Sequence, residues 1–344
     1  MQAAVCTGAE VLEIAEKNIP SITDEDALVR VSHCGISKWD VESYLGENPQ
    51  LQLPRILGHE ICGTVKQLTP SQDNGISLGT KVLVNPILSC GRCIQCQAGR
   101  SNHCEDLKFI GLDLDGGFAE FVKAPIKNLQ PLQNEANPEK YILAFPLSAA
   151  HHLVSRIDFR DVDHIVINGS GPVGVLAGLI LKEKKNIRLD MIDTNSFRLN
   201  IARNLGLFCI DGRQSRLHEI IKERCFPGKD GPDVVIETSG NPAGLDWAIR
   251  WVRVQGQMIV GGRIPGKGSF DFTNLLEKEI SLTGTLAYTQ EDLDKSLSDI
   301  SNLRIDYQTL ITHRLPLAGV REGLRILRSV EETMKIVICM DPFK

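Results

Sequence analysis

The sequence has no run of 18 or more apolar residues, so it offers no segment able to span a bilayer. It has no basic excess either. Lys plus Arg number 38 against 43 Asp plus Glu, a formal charge of −5. Nucleic-acid binders and membrane-surface proteins present a basic face, and this balance argues against both. The start lacks a basic segment and an apolar core, since Met1 to Ile14 carries Glu10 and Glu13, which excludes a secretory signal. Internal repeats and low-complexity linkers are also missing. A hydrophobic share of 42% and a charged share of 24% exclude disorder. With no signal, ten cysteines point to a reducing compartment, the cytoplasm, where such thiols bind metal or stay free.

What is present fits two domains, at roughly 150 residues each, in a chain of 344. Thirty glycines cluster beside apolar runs, where backbone turns sharply or approaches a ligand. The first third reads as short strands and turns, such as Ala27 to Val31, Ile61 to Val65 and Lys81 to Val84, and predicts a β-rich barrel or sandwich. From His164 the rhythm becomes strand, glycine turn, helix. His164 to Asn168 is a continuous apolar strand and Val173 to Leu181 an apolar helix. Further strands are expected at Leu189 to Asp193, Asp233 to Glu237 and Gln257 to Val260. That alternation predicts an α/β doubly wound parallel sheet. The last fifty or so residues lose the rhythm, as if returning to the first domain.

Cys90, Cys93, Cys96 and Cys104 form C-x2-C-x2-C-x7-C. Four thiolates so close in sequence can close a tetrahedral shell around one structural Zn²⁺, leaving no position for substrate. Two-residue gaps also suit an iron–sulfur cluster, but there the final gap is shorter and proline follows; here Glu105 follows.

Gly169-Ser170-Gly171-Pro172-Val173-Gly174 lies between a strand and a helix, and Asp193 ends the next strand nineteen residues later. This context makes G-x-G-x-x-G a dinucleotide signal. Gly169 permits the turn, Gly171 the approach to a pyrophosphate and Gly174 close helix–strand packing. The start of the helix at Pro172 and Val173 favours the negative charge. Asp193 can accept from an adenosine ribose and repels a 2′-phosphate, so NAD(H) is favoured over NADP(H). Arg198 is the one nearby cation that counts the other way.

On these motifs, with Gly58-His59-Glu60 and Asp115-Gly116-Gly117-Phe118-Ala119-Glu120-Phe121-Val122, the chain resembles the zinc-containing medium-chain dehydrogenases, the alcohol and sorbitol dehydrogenase-like family. The resemblance covers essentially the whole chain. It implies a GroES-like β-rich catalytic domain at residues 1–147 with a zinc lobe at about 88–106, a Rossmann domain at 148–286, and a return to the catalytic domain at 287–344. It implies a homodimer or homotetramer acting on a small-molecule substrate, with no nucleic-acid or membrane partner.

The family also holds a second zinc that polarises the substrate oxygen. Its Cys-Gly-Ile-Cys-Gly-Ser-Asp run aligns with Cys34-Gly35-Ile36-Ser37-Lys38-Trp39-Asp40. Ser37 replaces the ligand cysteine and Trp39 the proton-relaying hydroxyl. The sorbitol-type Glu-Pro-Leu reads Phe145-Pro146-Leu147. His59 and Glu60 are left, with either Cys34 or water completing the shell if the zinc is kept; the His151-His152 pair offers a nitrogen, but helix packing is the better reading of it. Without it, His59 becomes the proton donor, its pKa set by Glu60 or Asp40. Lys38 falls where some relatives set a basic residue against the pyrophosphate. Three functions follow: an oxidoreductase with a degraded or absent catalytic zinc, a zinc-dependent alcohol or polyol dehydrogenase with an atypical ligand set, and a catalytically silent NAD(H)-binding protein.

Overall fold

The computed structural model describes residues 1–69, 75–133, 136–184, 186–264, 270–302, 305–329 and 332–340. It divides into two units, Met1–Phe145 with Leu297–Lys344, and Pro146–Ser296.

In the first unit, β-branched and apolar residues recur in runs bounded by turn residues, and these become strands. One sheet has the spatial order Leu129–Pro131, Lys81–Val84, Glu60–Leu68, Asp26–Ile36, Lys335–Cys339, Ile311–Pro316, and Phe121–Pro125 also pairs with Asp26–Ile36. A second sheet joins Val11–Glu16, Gln2–Gly8 and Arg55–Ile56. Val29, Ile61, Val65, Val82, Phe118 and Ile336 are among the wholly buried residues of its core. The strand Lys335–Cys339 takes an interior position in this sheet: it pairs antiparallel with Asp26–Ile36 and sets Cys339 opposite His33.

The second unit is a six-stranded parallel sheet in the order Cys209–Asp211, Arg188–Asp193, His164–Asn168, Val234–Glu237, Gln257–Val260, Ser281–Gly284. By place in the chain this is 3-2-1-4-5-6, the doubly wound order. All five residues of His164–Asn168 are buried, as a central parallel strand covered on both faces requires. The unit runs to Ser296, where the first half of the helix Gln290–Ser301 is tied to the helix Ala144–Ser155. Ser148 Oγ donates to Ser296 Oγ over 3.1 Å, and His152 Nδ1 lies 2.9 Å from Asp292 Oδ2.

Candidate functional site

The sulfurs of Cys90, Cys93, Cys96 and Cys104 all lie within 4.8 Å of one another. The short helix Ile94–Gln97 and the 3₁₀ turn Ser101–His103 fold the loop back so that this happens. Backbone N–H groups already point at the sulfurs: Cys90 N is 3.2 Å from Cys104 Sγ and Cys93 N 3.4 Å from Cys90 Sγ. Backbone bonds from Glu105 and Cys96 hold the Cys93 thiol down to about 6. Four clustered thiols, with backbone N–H groups aimed at two of the sulfurs, match the donor set of a closed tetrahedral zinc.

At the nucleotide motif each glycine has its own reason. Gly169 has φ +113°, and a Cβ there would lie 2.6 Å from Ser239 N. A Cβ on Gly174 would collide with the carbonyl oxygen of Gly169. Around Gly171, by contrast, the nearest atom to a Cβ is Arg198 Nη1 at 3.7 Å, so the backbone is open to an approaching ligand. The helix Pro172–Lys182 begins here with no side-chain cap, leaving its first N–H groups directed outward. Asp193 is drawn into the turn: its Oδ2 accepts from Ser170 N (2.6 Å) and Ser170 Oγ (2.8 Å), and its Oδ1 from Asn195 N (2.9 Å). Burial lowers the pKa of Arg198, and the Asp193 carboxylate works in the other direction.

Ser37 and Asp40 form a capping box on the helix Lys38–Tyr44. Ser37 N and Oγ both donate to Asp40 Oδ2 at 2.8 Å, while Ser37 Oγ accepts from Trp39 N at 3.1 Å. The other Asp40 oxygen accepts from Gly58 N at 3.0 Å and faces His59 Nδ1 at 3.7 Å. Asp40 has no exposed surface. Burial pushes its pKa up, but the His59 charge and the Ser37 bonds outweigh this and hold it below the usual carboxylate value. For His59 burial works downward, and the Asp40 charge overcomes it, leaving the imidazole pKa raised. Trp39 covers the histidine, ring centroids 5.8 Å apart, and meets the Phe109 ring edge-on at 5.3 Å.

Glu60 points elsewhere. Its carboxylate contacts the Lys335 ammonium, and Lys335 Nζ also donates to Ile36 O at 3.1 Å. Gly35 makes room, since a Cβ there would collide with that carboxylate. Cys34 is wholly buried: side chains added at Gly58 and Gly117 would come within 2.8 and 3.0 Å of its sulfur. Burial drives its thiol far up. Among the described residues two groups gather as possible ion ligands, and His59, Glu60 and Cys34 are not one of them. His152 is committed to Asp292, Phe145 is buried, and Lys38 is exposed at the first turn of its helix.

Lys335 and Phe109 are the residues sequence reasoning missed. Neither belongs to a local motif, and pairing of distant strands brings Lys335 to Glu60. The Ser37 cap was readable, since a serine followed three residues later by an acid is a helix-start signature.

Residues 23–134 match the family model of the alcohol dehydrogenase GroES-like domain, and residues 172–302 that of the zinc-binding dehydrogenases. The L-galactonate-5-dehydrogenase of Escherichia coli K12 is 28% identical over 323 residues, 94% of each chain. Among solved structures, the alcohol dehydrogenase TADH from Thermus sp. ATN1 superposes with a TM-score of 0.88 at 28% identity, covering 98% of this chain and 99% of that one. An E. coli CFT073 alcohol dehydrogenase complexed with NADH gives 0.88 at 23% identity, covering 99% of both chains, a likeness of fold.

Proposed function

Because the chain belongs to the zinc-type medium-chain dehydrogenase/reductase family, it is an oxidoreductase that moves a hydride between a nicotinamide and a carbonyl or alcohol carbon; we propose that it does so without a zinc at His59. The observation that carries this reading is the bond set of Ser37. Its hydroxyl donates to Asp40 and accepts from Trp39 N, so it is spent on the helix cap, and a neutral hydroxyl is in any case a poor zinc ligand. Glu60 turns to Lys335 and, among the described residues, does not gather with His59 and Cys34, whose sulfur lies under Gly58 and Gly117. These donors do not fit a zinc shell.

His59 is then the proton donor. Asp40 sits against Nδ1, which leaves Nε2 for the substrate oxygen, and the same carboxylate stabilises the imidazolium. In reduction the carbonyl carbon gains the hydride and its oxygen takes the His59 proton; oxidation reverses both transfers. The nicotinamide, when bound, supplies or accepts that hydride. Trp39 and Phe109 give the substrate an apolar wall beside His59, which suits a less polar molecule than a sugar alcohol.

The open backbone at Gly171 and the acid at Asp193 support NAD(H) over NADP(H). Four clustered sulfurs support one structural zinc. Exposed Leu282, on the edge strand Ser281–Gly284, and exposed Phe272 and Leu276 support a homo-oligomer. No helix among the described residues is long and apolar enough to cross a membrane. Ten cysteines, all free thiols, support a cytoplasmic setting.

His59→Gln tests the reading. Turnover of a ketone, aldehyde or enone substrate with NADH should fall by about 10²–10⁴-fold, with NADH affinity and zinc content unchanged. Unchanged turnover removes His59 as the acid, and a lost zinc shows that the histidine was a ligand.

A further inference from the structure

The second group of gathered donors shares no residue with the site at His59 or with the nucleotide turn. The ligand atoms of His33, Glu139 and Cys339 all come within 4.8 Å of one another, and all three residues are half-buried. We propose that they bind a zinc ion.

Three separate segments build the cluster. His33 and Cys339 are directly opposed on the neighbouring antiparallel strands Asp26–Ile36 and Lys335–Cys339. Residues paired across such strands send their side chains to the same face, so imidazole and thiol rise together. Glu139 arrives from the 3₁₀ helix Pro138–Leu143, which is anchored by Lys140 Nζ donating to Ile300 O at 3.3 Å.

Each oxygen or nitrogen ligand has a partner that fixes its direction. His33 Nδ1 lies 3.0 Å from Ser32 Oγ, which leaves Nε2 as the free ring nitrogen. Arg314 grips Glu139 with two bonds, Nε to Oε1 at 2.7 Å and Nη2 to Oε2 at 3.1 Å, and is itself held through Nη1 to Ile311 O at 3.3 Å. A carboxylate has about four lone-pair sites, so two remain for an ion. Such supports behind the donors are what metal sites use to orient their ligands.

One nitrogen, one sulfur and one carboxylate oxygen suit a borderline-soft cation, and zinc is the common one. Zinc bonds of about 2.0 to 2.3 Å place tetrahedral donors on the order of 3.5 Å apart, so side-chain rotation of about 1 Å closes the set. Binding converts the Cys339 thiol to thiolate and releases its proton. Three protein ligands leave a fourth position to water. The ion ties the last strand and the 3₁₀ helix to the strand Asp26–Ile36.

Zinc per chain, measured by mass spectrometry after equilibration with zinc and gel filtration, tests the site. The unmodified protein should hold two ions, one of them at the four cysteines. His33→Gln and Cys339→Ser should each hold one, while His59→Gln keeps two. Zinc should also slow alkylation of Cys339 in the native protein by at least tenfold, a slowing absent in His33→Gln. A single ion in the unmodified protein overturns the proposal, as does a second ion that survives both substitutions or disappears with His59→Gln.

Discussion

The ammonium of Lys335 lies against the carboxylate of Glu60, and each residue is under 5% exposed. Such a pair is balanced only while both members are present. Removing one leaves an uncompensated charge in the interior, which costs about 3–5 kcal/mol. Lys335→Met should therefore lower the free energy of unfolding, measured by urea titration, by that much. The double variant Lys335→Met with Glu60→Gln should recover at least half of the loss. Additive losses in the double-mutant cycle would show that the two charges do not depend on each other.

Asp40 and His59 give a second expectation, with a sign. The folded chain favours the charged form of both. Stability from His59 is complete below its ordinary pKa of about 6.5 and is lost as pH rises through the raised folded value. Stability from Asp40 is present above the ordinary carboxylate range and is lost as pH falls through its lowered value. With His59 as the proposed acid, reduction would draw on the imidazolium, so kcat/KM for reduction should fall with rising pH about a midpoint above 6.5. Asp40→Asn should move that midpoint down. An identical profile in the variant would detach Asp40 from the proton transfer.

The glycine turn makes a paired prediction. Gly171→Ala puts a methyl group into open space, so stability should change by no more than about 0.5 kcal/mol. The same methyl stands where a pyrophosphate would approach, and NADH affinity should weaken by about tenfold, or about 1.4 kcal/mol. Gly174→Ala instead strikes the Gly169 carbonyl and should lose both stability and binding. Calorimetry of folding and of NADH titration separates the two. Equal NADH affinity in Gly171→Ala and the unmodified protein would move the dinucleotide away from this loop.

The parts legible in the sequence are those whose physics is local. The cysteine spacing confines four sulfurs to one loop, and the strand, glycine turn and acid lie within thirty residues of chain. Ser37 shows in the sequence as the residue in place of a ligand cysteine, and the capping geometry shows what its hydroxyl does instead, closing the start of its own helix. Cys34 was offered as a substitute ligand, yet close packing beneath two glycines keeps its sulfur in the core. Lys335 was illegible, because nothing near it in the chain names Glu60. The same holds for His33, Glu139 and Cys339, which only the closing of the first unit brings together.

The strand Lys335–Cys339 lies inside its sheet, with Asp26–Ile36 on one side and Ile311–Pro316 on the other. During synthesis the sheet of the first unit therefore waits, its middle edge unpaired, until residues 335–339 have left the ribosome. The parallel sheet of residues 146–296 has all its strands much earlier and can form first. Pairing partners so far apart in the chain make closure of the first unit the slow event. A ribosome stalled before that strand emerges would carry a folded parallel-sheet half with an open, aggregation-prone one.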